Sequence, residues 1–250
     1  MTAHTPRIEW LETTGSTNAE ARDRAVAGER GPLWVAAQRQ TAGRGRRGRA
    51  WDSLDGNLFT SGLYTVDCPP GKAAQLSFVA ALAVAAVCDA ALGDTTRTRL
   101  KWPNDVLVDG RKIAGILLES GAAPGGGLWL AIGIGINLVA APAQSERPAT
   151  SLSEAGTTWM REDAVALLAL VFDAEYQLWR QNGFGLVRDR WLARAHGLGQ
   201  RCVVRLAQET LDGQFGDLGP DGALRLDLAS GGHRYISAGE VFFPAAGEES

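Results

Sequence analysis

Cysteine is scarce in this 250-residue chain: Cys68, Cys88 and Cys202 are scattered, odd in number, and form no C-x-x-C pair. Such a set excludes a disulfide scaffold and reads as reduced thiols of a cytosolic protein. Histidine is as sparse, and His4, His196 and His233 stand too far apart in sequence to suggest a zinc-type ligand cluster. The opening MTAHTPRIEW has no apolar segment, which excludes a secretory signal. Long hydrophobic runs are also missing. The most apolar stretch, AALAVAAVCDAAL at 80–92, is too short and alanine-rich to span a bilayer and is expected to be a buried helix. There is no excess of positive charge: 25 Lys and Arg against 28 Asp and Glu leave a net −3. That argues against a general nucleic-acid coat or a polybasic membrane binder.

What is basic here is local. TAGRGRRGRAW, residues 41–51, carries Arg44, Arg46, Arg47 and Arg49 among Gly43, Gly45 and Gly48, and ends in Trp51. The segment is too glycine-rich for a stable helix. Backbone N–H groups of a glycine-rich loop can close around an anion, and guanidinium forks add bidentate contacts. The plain alternative is a solvated basic turn.

The patterning around this loop predicts a mixed α and β chain. Residues 14–25 start a helix, with Thr17-x-x-Glu20 in capping-box form. LWVAAQ at 33–38 and NLFTSGLYT at 57–65 read as strands, and an alanine-rich helix runs over roughly 72–92. Residues 99–120 read as a hairpin turning at Asp109-Gly110. In GLWLAIGIGINL, 127–138, the even-numbered apolar residues share one face and Gly133 and Gly135 lie on the other, where something can approach closely. A proline-bearing loop follows at 138–150, then amphipathic helices at 162–179 and 184–195. After His196 the texture changes to short strands and Gly/Asp turns, the pattern of a small β-barrel. The boundary is expected at 196–199, dividing the chain into 1–196 and 199–250 with a ragged tail, AAGEES.

Three more segments carry chemistry. In KWPNDVLVDGRKIAG, Pro103 favours an extended Trp102, Asn104 and Asp105 open a strand, and Lys112 follows the turn beside Ala114-Gly115. A hairpin with a solvated lysine is the bland reading. Asn137 ends the glycine-faced strand, which suits either a flat ligand or close strand–helix packing. Ser16-Thr17-Asn18 is a helix cap, and a helix N-terminus with hydroxyl and amide side chains also binds polar ligand groups.

Taken in order, STN, Q-x-AGRGRRGR-x-W, KWPNDV, GRKIAGILLE, IGIGINL and PATSL resemble a biotin protein ligase over residues 8 to 160, and GALRL with ISAGEV resembles that family's SH3-like C-terminal domain. The resemblance implies an α+β fold: a mixed-sheet catalytic domain of the biotin/lipoate ligase type with flanking helices, plus a small SH3-like barrel. It implies a ligase that uses ATP and Mg²⁺ to convert biotin to biotinyl-5′-AMP and passes biotin to one lysine of a biotin carboxyl carrier protein domain. The resemblance implies the enzyme without the helix-turn-helix domain with which some members repress transcription. A cytoplasmic enzyme is therefore expected, with no DNA or membrane partner; monomer and homodimer both stay open.

By the same resemblance, Ser16, Thr17, Asn18 and Gln40 contact the polar head of biotin, and Gly43, Arg44, Gly45 and Arg46 form the loop folding over biotin and adenylate. Lys112 reaches the reacting carboxylate and α-phosphate, and Gly115 lets the ligand lie on the sheet. Asn104, Asp105 and Asn137 line the adenylate side, with the loop after Asn137 as adenine cover. Asp105 also orients or deprotonates the incoming lysine. Arg47, Arg49 and Trp51 order the loop or contact ATP. Mg²⁺ is expected to arrive with ATP, because no side-chain cluster offers it a cage. Two competitors remain: a lipoate or octanoyl ligase, expected to lack this arginine loop, and a nucleic-acid module, expected to show spread basic patches with stacking aromatics.

Overall fold

The structure, a computed structural model, describes residues 6–143 and 148–244; the expected tail at 245–250 and part of the loop after Asn137 lie outside the described residues. Seven strands form one sheet: β1 (Arg7–Thr14), β2 (Leu33–Gln40), β3 (Leu58–Val66), β4 (Thr98–Lys101), β5 (Asp105–Val108), β6 (Arg111–Ala122) and β7 (Leu128–Ile136). Their order is β1-β2-β3-β7-β6-β5-β4. Only β1 and β2 are parallel, so the sheet is mixed as expected.

Strand β1 went unpredicted. It is an edge strand with one partner, so its charged residues break the alternation that marks a half-buried strand. The 99–120 hairpin proves to be three strands, because residues before Trp102 form β4 and pair with β5. The Asp109-Gly110 turn holds: φ is 50° and 74°, both positive as a tight two-residue hairpin turn requires.

Helix α1 (Thr17–Val26) covers one face of the sheet, where Ala21 and Ala25 pack on Leu33, Val35, Leu63, Trp129 and Ala131. The other face receives α3 (Leu76–Leu92), preceded by the short α2 (Pro70–Ala73), then α4 (Arg161–Asn182) and α5 (Phe184–Leu192). Helix α3 stops at Gly93, whose φ of 65° is left-handed and whose N–H returns to Asp89 O. The helical run Pro70–Leu92 matches the expected 72–92 closely and is apolar enough to cross a membrane on length and composition, yet 67% of its 18-residue apolar window is buried inside the fold. It is the core helix of this unit.

The predicted capping box is not formed. Ser16, not Thr17, is the N-cap, and no side chain caps the helix. Glu20 instead accepts from Thr14 Oγ1 at 2.8 Å and pairs with Arg24 at 2.7 Å. These partners hold the Glu20 carboxyl below its ordinary value.

The C-terminal segment forms its own antiparallel sheet of β8 (Arg201–Arg205), β9 (Thr210–Leu218), β10 (Leu224–Leu228), β11 (His233–Ile236) and β12 (Glu240–Phe242), ordered β11-β10-β9-β8-β12. The two units share one continuous core. Phe215, Leu224 and Val241 join it, Trp102 Nε1 donates to Gly222 O at 3.1 Å, and Arg188 bridges α5 to Asp217 at 2.6 Å. Leu100 N donates to Arg194 O and His196 N to Leu100 O, so the connecting chain caps the β4 edge and brings β12 beside the loop after β2.

Candidate active site

A cavity of about 330 Å³ opens over the glycine face of the central strands. Its floor follows from strand register. Gly115 on β6 lies opposite Gly135 on β7, and Ser61 on β3 lies opposite Gly133. Trp51 lies on the Gly115–Gly135 pair: a methyl on Gly115 would come within 2.8 Å of its ring. A methyl on Gly133 would come within 2.9 Å of Asn18 Cγ. The glycines are therefore needed for close approach, by an indole at one end and an amide at the other.

The polar end is built by α1. Gln40 Oε1 accepts from Thr17 N at 2.8 Å and from Thr17 Oγ1 at 3.2 Å. Asn18 Nδ2 donates to Glu119 Oε2 at 2.7 Å and to Leu117 O at 3.3 Å, while its Oδ1 accepts from Ser61 Oγ at 2.6 Å. Ser61 Oγ is also 2.8 Å from Thr17 Oγ1. Thr17, Asn18 and Ser61 are buried, so this network fixes their orientation before any ligand enters. Ser16 lines the cavity beside them.

The cationic end comes from β6 and the arginine loop. Between β5 and β6 the register shifts: Ala114 opposes Val106 but Lys112 opposes Leu107, leaving Ile113 as an extra residue. That bulge breaks the two-residue alternation, so Lys112 and Gly115, three apart, both face the cavity. Lys112 Nζ lies 2.6 Å from Asp105 Oδ1 and 5.4 Å from the centre of the Trp51 ring. The loop closes on itself through Gly45 N to Arg49 O and Trp51 N to Gly43 O, with a single tight turn at Arg46–Gly48. Arg46 donates to Asn104 Oδ1 at 2.9 Å and to Gly239 O at 3.2 Å. Burial pulls its guanidinium below the ordinary arginine value; Asp105 and Glu240 oppose this and Arg47 and Arg49 add to it, and Arg46 stays charged. Arg44 lies 3.8 Å from Glu119.

Most residues expected from sequence thus meet in one place. Ser16, Thr17, Asn18, Gln40, Arg44, Gly45, Arg46, Arg49, Trp51, Asn104, Asp105, Lys112, Gly115 and Asn137 line the cavity. Gly43 and Arg47 do not. Gly43 closes the base of the loop, and a methyl there would sit 2.8 Å from Trp51 O. Arg47 turns away, 3.6 Å from Glu240. Asn137 Nδ2 donates to Thr150 O at 3.1 Å.

Four contributors escaped the sequence reading. Ser61 is one of three small hydroxyl residues, with Thr60 and Thr65, on strand β3, so nothing in sequence singled it out. Asn57 is fully buried and accepts from Val139 N and Ala140 N, pinning the start of the next loop. Glu119 takes the Asn18 amide. Glu240 lines the cavity from the C-terminal sheet, and nothing local in sequence announces it. Among the described residues, no group of three or more His, Cys, Asp or Glu side chains could hold a metal. Asp105 and Glu240 are each engaged with cations.

A polar-to-cationic slot under a glycine-arginine loop, over a mixed sheet, suits the class of ligases that hold two anions together. Sequence comparison gives the same class: the Biotin/lipoate A/B protein ligase family matches residues 10–137, and the biotin protein ligase C terminal domain matches 197–243. The chain is 41% identical to the biotin–[acetyl-CoA-carboxylase] ligase of Paracoccus denitrificans, over 93% of this chain and 99% of that protein. It is 34% identical to the Mycobacterium tuberculosis protein of the same name, over 94% and 88%. Among solved structures, the Aquifex aeolicus biotin protein ligase in complex with biotin and ATP superposes with a TM-score of 0.81 at 26% identity, covering 95% of this chain and 98% of that one. The chain belongs to the biotin protein ligase family.

Proposed function

We infer that this protein joins biotin to a carrier protein in two steps within the one cavity. A biotin carboxylate oxygen attacks the α-phosphorus of ATP, giving biotinyl-5′-AMP and releasing pyrophosphate. The ε-amine of a carrier lysine then attacks the acyl carbon, loses a proton and expels AMP. The observation that carries this reading is the continuity of a neutral, pre-organised hydrogen-bonding end with a cationic end under the loop. The first suits an uncharged ureido head; the second suits a carboxylate and phosphates that must be held together despite like charge.

In this reading Ser16, Thr17, Asn18 and Gln40 take the biotin head, Gly115 seats the Trp51 ring at the cavity floor, and Arg44, Gly45 and Arg46 close over the biotin. Lys112, drawn from Asp105, meets the carboxylate and α-phosphate. Asp105, so released, orients or deprotonates the incoming amine. Asn104, Asn137 and Trp51 border the nucleotide, with Arg47 and Arg49 ordering the loop. Mg²⁺ bound with ATP would neutralise phosphate charge. Loop closure excludes water from a hydrolysable mixed anhydride. We place the domain boundary at 196–199, between the last helix of the larger unit and β8, and the acceptor on the carrier domain of a biotin-dependent carboxylase such as acetyl-CoA carboxylase. A cytoplasmic setting fits the three free cysteines, Cys68, Cys88 and Cys202.

The test is incubation with biotin, MgATP and a carrier domain, read by mass spectrometry and by biotin-dependent exchange of pyrophosphate into ATP. One added biotin on one lysine is expected. Exchange driven by lipoate and not by biotin would overturn the reading in favour of a lipoate ligase.

A further inference from the structure

The C-terminal sheet reaches into the site through one short segment, Gly239-Glu240 at the start of β12. Three of the four loop arginines end there. Arg46 donates to Gly239 O, Arg47 lies 3.6 Å from Glu240, and Arg49 Nη2 pairs with Glu240 Oε1. The Glu240 side chain is only 8% exposed, whereas Glu119, the carboxylate facing Arg44, is 37% exposed. Exposed pairs contribute little, and a largely buried carboxylate shared by two guanidinium groups is costly to disrupt. The loop also needs an outside hold. Arg47 has φ 56°, the left-handed region that a non-glycine residue enters only when its surroundings over-determine it.

We propose that Glu240 is a positioning residue that latches the arginine loop over the cavity, so that the C-terminal unit takes part in retaining the acyl-adenylate. The inference rests on the ligase reading above. The C-terminal unit thereby acquires a specific role at the site. Glu240 ties Arg47 and Arg49 to the C-terminal sheet, which sets Arg46 against Asn104 at the mouth of the cavity. Without that carboxylate the two guanidinium groups repel each other and the loop lifts at the Arg46–Gly48 turn.

The experiment uses the full chain and the near-isosteric Glu240→Gln. Protein is loaded with biotin and MgATP plus pyrophosphatase and freed of excess ligand. The dissociation rate of biotinyl-adenylate is then measured, alongside tryptic cleavage at residues 44–49 in ligand-free protein. Adenylate release at least tenfold faster, with earlier cleavage of the loop, is expected. Arg49→Gln should act in the same direction, and the double variant should be no worse than the worse single, because a pair can be broken only once. A folded Glu240→Gln that releases adenylate at the parental rate overturns the latch, as do multiplicative effects in the double variant. If Glu240→Gln does not fold, the Arg47→Gln and Arg49→Gln variants decide by the same release assay, and unchanged release in both overturns it. A parent that forms no adenylate refutes the ligase reading instead; loop cleavage, which needs no ligand, then still tests the latch.

Discussion

Gly135→Ala should cripple the site while leaving the fold intact. Gly135 sits on β7, a central strand, with no positive φ, so alanine fits the backbone there and even relieves the entropic cost of glycine in a strand. The difficulty is Trp51. The new methyl would lie 2.6 Å from both indole Nε1 and Cζ2, against about 3.5 Å for an ordinary carbon contact. The ring must therefore withdraw by about 1 Å, since β7 is held on both sides by β3 and β6 and cannot yield. Trp51 also carries the end of the arginine loop and underlies Lys112, so both move with it. A displacement of about 1 Å of reacting groups costs on the order of 100-fold in rate. The assay is biotin- and ATP-dependent modification of a carrier domain, with thermal unfolding measured in parallel. A control is Gly71→Ala on α2, where a methyl meets nothing within 4 Å and activity should be parental. A Gly135→Ala protein that biotinylates as fast as its parent would refute the cradle argument. One that loses activity and stability together would show that the residue serves folding and not the site.

Lys112→Ala should slow adenylate formation by about 100–1000-fold, typical of losing one electrostatic stabiliser, and slow transfer from preformed adenylate less; pre-steady-state kinetics separates the two steps. Ser61→Ala removes the proton donor that orients Asn18 Oδ1, so the KM for biotin should rise several-fold to about tenfold with kcat much less affected, a loss on the order of 1 kcal/mol; an unchanged KM would remove Ser61 from the site. His196 is held below its ordinary value by burial, then by Lys101 and Arg99. Its folded form therefore binds fewer protons than the unfolded chain below about pH 6.5, so its contribution to stability is complete above that pH and lost as pH falls toward the lowered value. His196→Asn should flatten the stability profile on that acidic side, measured by urea unfolding at successive pH values.

The chain's local chemistry determined much of this. The turn at Asp109-Gly110 needs two residues with positive φ and announces itself anywhere. Strict alternation along 128–136 marks a strand with one small-residue face, and the arginines between glycines mark a local concentration of positive charge on a loop. The residues of STN, KWPND and the arginine loop were legible because each motif is contiguous and its side-chain types are rare in that spacing. Other features had no local expression. Strand β1 exists because β2 offers it an edge, not because its own residues alternate. The capping box failed because Thr14 and Arg24 made better partners for Glu20 than the helix end did. Lys112 and Gly115 face one cavity only because a bulge in the β5–β6 pairing resets the alternation. Asn57, Glu119 and Glu240 acquire roles from residues some 80 to 190 positions away, and pairing over such distances is decided by the packing of whole elements, which no window of sequence contains.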